Sequence, residues 1–266
     1  IGLKMGVNQM FINGVSCTTD AVPELIKGRV YVPVRHVVLA FQRQLYWEGE
    51  TQSILIDIGN YLPQAVEDLQ KESYWSALEK CNNFLDISPN DSGARLVKGV
   101  AQFKLGDMQG AIGSFDRAVE LDPANDLAYL SRAETNWAVY MKDKEARALT
   151  DSESRERLAQ ILGDVNKSIE VSKEPTLLYC RRAGLYNYMG DYAKAIADCD
   201  KAMELNPDYR LSYYRKASAL YFKNGQQSFE AELAKIKSKF PDDEWATSCQ
   251  DVLKNQKKFV FDLTDW

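Results

Sequence analysis

The side chains able to do chemistry are few in kind. His36 is the single histidine among 266 residues. A Ser-His-Asp triad needs a histidine beside its nucleophile, and typical zinc sites draw several ligands from His and Cys. Five cysteines, Cys17, Cys81, Cys180, Cys199 and Cys249, are scattered and form no Cys-x-x-Cys pair. That spacing argues against a metal knuckle or a dithiol redox site and reads as small buried hydrophobes. Carboxylates are plentiful, but pairs such as Asp198 and Asp200 lie two residues apart, on different faces of a helix. Gly14, Gly28, Gly49 and Gly59 are separate turn glycines and make no phosphate loop. The sequence therefore predicts no catalytic residue, no cofactor and no metal, and a protein that is not an enzyme.

Charge and hydropathy exclude further classes. Thirty-three basic and 38 acidic residues give a net charge of −5, against the basic surplus usual in nucleic-acid binders. Apolar runs such as Val37-Val38-Leu39-Ala40-Phe41 fall far short of the roughly 20 residues of a membrane span. Hydrophobic residues at 45% permit a sizeable core. The chain opens on Ile1, consistent with a processed protein whose signal peptide has been removed.

The elements that position these residues follow two grammars. Residues 1–58 are strand-like. Met10-Phe11-Ile12 and Val15-Ser16-Cys17 flank Asn13-Gly14, the strongest short hairpin signal. Val30-Tyr31-Val32-Pro33-Val34 reads as a strand with Pro33 at an end or edge, and residues 36–41 as a short helix. A second hairpin is predicted from Leu45-Tyr46-Trp47 and Ile54-Leu55-Ile56 around residues 48–52.

These residues, above all Gly28-Arg29-Val30-Tyr31-Val32-Pro33-Val34-Arg35 with Asn13-Gly14 before and Trp47-Glu48-Gly49 after, resemble the copper amine oxidase N-terminal-like "stalk" domain. That family occurs in secreted and surface proteins of Gram-positive bacteria. The resemblance covers residues 6–58. It implies a small accessory β-rich module outside the cell, without copper and without oxidase chemistry.

The rest of the chain repeats. Pro89 to Pro123 spans 34 residues, as does Pro207 to Pro241, while Pro123 to Pro207 spans 84, two periods plus 16. Inside the units that begin at 92 and 176, small residues recur at position 8 (Gly99, Ala183), position 20 (Ala111, Ala195) and position 27 (Ala118, Ala202). Small side chains there let two helices approach closely. Gly106 and Gly190 fall between the paired helices, where glycine takes up the left-handed conformation of a helix end. A 34-residue period of helix pairs resembles the tetratricopeptide repeat.

The predicted fold is therefore α+β in separate domains. A small β-rich domain (1–58) is followed by an all-α tetratricopeptide-type solenoid (59–257) of five helix pairs at 58–91, 92–125, 126–175, 176–209 and 210–243. The third pair carries the 16-residue insertion. A capping helix at 244–257 and an extended tail at 258–266 complete the chain. Residues 141–157 hold ten charged side chains, and Thr150-Asp151-Ser152-Glu153 fits a capping box. The insertion reads as both helices of the pair lengthened by about two turns, roughly 12 Å. The alternative is a mobile charged loop.

The repeat resemblance implies a ligand groove on the first helices, at positions 2, 5, 9, 12 and 13. Its predicted lining is Leu96 and Phe103, then Leu130, Glu134 and Trp137, then Asn187 and Tyr188, and last Tyr214, Tyr221 and Phe222. Apolar and aromatic anchors of this kind suit a protein or peptide partner. The competing reading puts several of them in the core between helices. The carboxylate clamp of chaperone-binding repeats needs Lys and Asn at positions 5 and 9. Here those positions hold Leu62 and Val66, Leu96 and Val100, Leu130 and Glu134. Arg181, Arg182, Arg215 and Lys216 recur at positions 6 and 7, either as a basic strip or as partners of nearby carboxylates. The tail Phe259-Val260-Phe261-Asp262-Leu263-Thr264-Asp265-Trp266 alternates in polarity like an extended strand, with its own solenoid, a neighbouring molecule or the N-terminal β-domain as docking places.

The expectation is a non-enzymatic, secreted or cell-surface scaffold that binds a protein or peptide through the groove. The alternatives are a cell-wall or polysaccharide binder using the β-domain, and a regulatory subunit of an enzyme complex.

Overall fold

The computed structural model describes residues 61–147 and 149–254, with Ile87 and residues 251–254 by backbone alone. In the first 56 residues it describes the backbone of seven short strands. The predicted helix at 36–41, the last residues of the capping helix and the tail lie outside the described residues. The chain divides into two compact units, Ile1–Gly110 and Ala111–Trp266, and each is taken by itself.

In the first unit β1 (Gly2–Leu3), β2 (Gln9–Ile12) and β3 (Val15–Thr18) pair antiparallel in that order. Ile12 stands opposite Val15, the register a two-residue Asn-Gly turn dictates. β4 (Glu24–Ile26) pairs with β5 (Arg29–Tyr31), and β6 (Leu45–Glu48) with β7 (Ser53–Ile56), with Trp47 opposite Ile54. Three helices follow: α1 (Tyr61–Gln70), α2 (Tyr74–Ile87) and α3 (Ser92–Lys104). They close on Ala65, Ala77, Cys81 and Ala101, all fully buried. Asp68 on α1 holds α2 by accepting from Ser76 Oγ at 2.6 Å and Lys80 Nζ at 2.5 Å. Asp91 caps α3 through the Ala94 amide. After α3, Gly106 takes φ +83°, a left-handed conformation that favours a residue without Cβ.

α4 (Met108–Leu121) leads into the second unit, which continues α5 (Asp126–Ala146), α6 (Asp151–Val171), α7 (Thr176–Met189), α8 (Tyr192–Leu205), α9 (Arg210–Asn224), α10 (Gln226–Lys239) and α11 (Glu244–Lys254). Ala133, Ala183, Ala195, Ala202 and Ala217 are fully buried where these helices cross, and their methyls let the backbones approach. In α6 the place of Ala202 is taken by Ser168. Its hydroxyl is buried and donates to the Asp126 carbonyl at 2.8 Å, so the polar atom is satisfied. Gly190 ends α7 at φ +80°.

The insertion is helix. α5 and α6 have 21 residues each, against 14 in each of α7 and α8. Seven more residues add about 10 Å. The lengthened pair carries its own core of Trp137, Tyr140, Leu158, Ile161 and Val165, with Leu185 of α7. Its charges pair across it, Arg157 with Asp143 at 2.7 Å and Arg147 with Glu153 at 3.2 Å.

The Thr150–Glu153 capping box is complete. Thr150 Oγ1 accepts from the Glu153 amide, and Glu153 accepts from the Thr150 amide at 2.9 Å. The Thr150 amide, then its hydroxyl, then Arg147 lower the Glu153 carboxyl from 4.5 to about 2. A lowered carboxyl stabilises the fold above its unfolded value and loses that contribution as pH falls through the folded one. The carboxylate half of the box is thus intact at neutral pH and is lost as pH falls through about 2, while the Thr150 hydroxyl still caps the Glu153 amide. Thr150→Ala is expected to cost about 1 kcal/mol at pH 7, read from the urea midpoint.

Candidate functional site

α5, α7 and α9 lead successive pairs and lie side by side. Arg181 on α7 meets Glu134 on α5 at 3.2 Å. Arg215 on α9 donates to the Cys180 carbonyl of α7, and Asn187 Nδ2 donates back to the Arg215 carbonyl, both at 3.0 Å. α11 stands where a further leading helix would stand. Trp245 stacks on Tyr214 with ring centres 4.4 Å apart, and Asp243 accepts from the Tyr214 hydroxyl and from the Ala246 amide at 2.8 Å.

A ladder of cations ties the helices behind this face. Arg132 on α5 forks onto Asp164 of α6 at 2.9 and 2.6 Å and reaches Asp116 of α4 at 2.7 Å. Arg182 on α7 forks onto Asp198 of α8 at 2.7 Å and reaches Asn166 of α6 at 2.8 Å. Lys216 on α9 meets Asp200 of α8 at 2.6 Å and approaches Glu232 of α10 at 4.0 Å. Each cation at position 7 thus joins the second helix of its own pair to that of the pair before. The Asp164 bond raises the Arg132 guanidinium pKa, and the Asp198 bond raises that of Arg182. Arg182 and Lys216 are therefore structural ties rather than a strip awaiting an anion. The signal was in the chain: Asp116, Asn166 and Asp200 each stand 16 residues before their cation.

The structure sorts the predicted lining by burial. Leu96 and Phe103 are half-buried on α3 of the first unit. In the second unit Leu130, Trp137 and Asn187 go to the core, 6%, 6% and 3% exposed. Trp137 packs edge-on to Tyr188 at 4.8 Å, inside the cluster that holds Ile161 and Val165. Glu134, Tyr188, Tyr214 and Tyr221 are half-buried, and Phe222 is exposed. Leu127 and Leu177, both at position 2 of their units, are exposed; Leu127 is more open than any of these, and Leu177 than any but Phe222. Their repeated register was readable in the sequence. Met189 at the end of α7 is also exposed.

One end of the face has a distinct chemistry. The Tyr140 and Tyr188 hydroxyls lie 3.2 Å apart, and the Lys144 ammonium donates to the Tyr188 hydroxyl, 4.7 Å from its ring centre. Burial pushes the Tyr188 pKa up, and the bond to Tyr188 raises that of Lys144. Tyr188 stays a neutral phenol and Lys144 a cation at neutral pH. Burial also pushes the Cys180 thiol up to about 12 and that of Cys199 well above its usual value, so neither is a nucleophile there. Among the described residues no three His, Cys, Asp or Glu side chains group to hold a metal ion, and no helix is long and apolar enough to cross a membrane.

Comparison with known families agrees with this architecture. Residues 64–126 and 177–209 match the tetratricopeptide repeat, and residues 1–56 match the copper amine oxidase N-terminal domain. The chain carries tetratricopeptide repeats behind a segment of that N-terminal type. Among curated proteins it is 28% identical to human "Tetratricopeptide repeat protein 6" over 60% of this chain, and 27% identical to the wheat (Triticum aestivum) "Hsp70-Hsp90 organizing protein" over 42%. It spans 28% and 16% of those two proteins. Among solved structures, a tetratricopeptide repeat protein from Parabacteroides merdae superposes with TM-score 0.58 at 17% identity, over 78% of this chain and 82% of that one. YrrB, described as having an unusual peptide-binding site, superposes with TM-score 0.55 at 14% identity, over 72% and 90%. These likenesses show the fold.

Proposed function

We propose that this chain is a non-enzymatic scaffold whose leading-helix face, α5–α7–α9, binds a protein or peptide outside the cell. The observation that carries the reading is the repeated open leucine at the start of successive leading helices, Leu127 and Leu177, with the half-buried Tyr214 and Tyr221 on the third leading helix. Apolar side chains in register on rigid helices suit an extended apolar segment. The match of residues 1–56 to the copper amine oxidase N-terminal domain supports reading 1–58 as a β-rich accessory module, and the location rests on the resemblance of that module to stalk domains of secreted and surface proteins. The match also favours a second reading, in which that module binds cell-wall material and the repeats space it.

The test is capture from envelope and secreted fractions by the whole chain and by Leu127→Glu/Leu177→Glu. Both leucines are exposed, so circular dichroism is expected to stay unchanged. Capture is expected to fall at least tenfold, since a charge opposes burial of an apolar anchor. Equal capture by both would overturn the groove. Co-sedimentation with cell walls that persists in the double variant and vanishes without residues 1–58 would establish the second reading.

A further inference from the structure

The far ends of α7 and α9 each expose an apolar side chain beyond the leucine register. Met189 ends α7 at 43% exposure and Phe222 lies in the last turn of α9 at 39%. Phe222 stacks on Tyr192, three residues beyond Met189, with ring centres 5.5 Å apart, and meets Tyr221 edge-on at 5.4 Å. The lengthened α5 walls one side with Tyr140 and Lys144 against Tyr188. Lys223, exposed, follows Phe222.

α11 delivers the rest of the chain to this end. Its first turn is fixed beside the first turns of α9 by Trp245 on Tyr214 and by Asp243 on Arg210 at 3.4 Å. It runs eleven residues to Lys254, about 16 Å, which brings its end level with that of α9. Residues 255–266 follow. Twelve extended residues reach about 40 Å. Three steps between neighbouring helices, α11 to α9 to α7 to α5, take about 30 Å. The segment carries Phe259, Phe261, Leu263 and Trp266 for Met189 and Phe222, and Asp262 and Asp265 for Lys223 and Lys144.

We propose that residues 258–266 dock back, within the same chain, across the C-terminal ends of α9 and α7, with Trp266 toward Lys144 of α5. The segment then competes with any external peptide for the Tyr188–Tyr221 end of the face. This rests on the reading of that face as a peptide site.

The probe is a fluorophore-labelled peptide of residues 257–266, titrated into the whole chain and into a chain ending at Lys254. The shortened chain is expected to bind it. The whole chain is expected to bind at least tenfold more weakly, because a tethered segment competes at millimolar effective concentration. Met189→Glu/Phe222→Glu in the shortened chain is expected to abolish binding with the dichroism spectrum intact. Absence of binding to a folded shortened chain, equal binding to both chains, or binding that survives the double substitution would each overturn the proposal. So would light scattering that shows a dimer of the whole chain and a monomer of the shortened one, which assigns the tail to a second copy. If the peptide fails while Leu127→Glu/Leu177→Glu still abolishes partner capture, the docking falls and the proposed function stands.

Discussion

Trp137→Ala will lower the unfolding free energy by about 4 kcal/mol, within the range for removing a buried large aromatic. Trp137 is 6% exposed and shares a cluster with Ile161, Val165 and Leu185. Its ring lies 5.7 Å from that of Tyr140 and edge-on to Tyr188 at 4.8 Å. Alanine removes the whole indole from a site walled by three helices, which cannot collapse without shifting α7 against the α5–α6 pair. Urea unfolding followed by circular dichroism measures the loss, and Trp137→Phe should keep more than half of the stability. A loss under 1 kcal/mol would show that the ring is not packed. One practical consequence follows: a charged residue at 137 would abolish partner capture by unfolding the chain, so it cannot report on the binding face.

Asp243→Ala will cost about 3 kcal/mol, because it strips three donors of a buried acceptor at once. Asp243 is fully buried, accepts from the Ala246 amide at 2.8 Å and from the Tyr214 hydroxyl, and faces Arg210 at 3.4 Å. Arg210 is half in solvent, so its share is discounted for screening. The main losses are the cap of α11 and the Tyr214 bond. Burial, then the bond to Asp243, push the Tyr214 hydroxyl up to about 12, so it remains a donor over the working pH range. Asp243→Asn keeps an acceptor and should recover at least half of the loss, while Tyr214→Phe should cost about 1 kcal/mol. An alanine variant as stable as wild type would show that α11 is not held by this carboxylate.

The repeat period was legible because close helix crossing demands small residues at fixed positions, and Ala183, Ala195 and Ala202 declare it without any tertiary knowledge. The capping box was legible because its bonds are local. The lining of the face was legible only in part. Positions 130 and 137 lie at the edge of the core stripe, where about 100° of helix rotation per residue separates inside from outside. Burial of Trp137 was decided by how α6 and α7 pack on α5, and that of Leu130 is likewise a matter of packing. Leu127 and Leu177 could have been found from their shared register; their degree of exposure could not.

By itself the sequence determined the helix pairs, their turns at Gly106 and Gly190, the lengthening of the third pair as one of two readings, and the single histidine among its side chains. These depend on local sterics, capping and composition. Only the tertiary structure decided between the two readings of Arg182 and Lys216, which are ties between helices, as is Arg132. It also decided that Asp243 is an interior acceptor, and that Leu127, Leu177, Met189 and Phe222 are open to solvent. A cation's partner and a side chain's exposure depend on residues 16 or more positions away, and only the packing of one helix on the next brings them together.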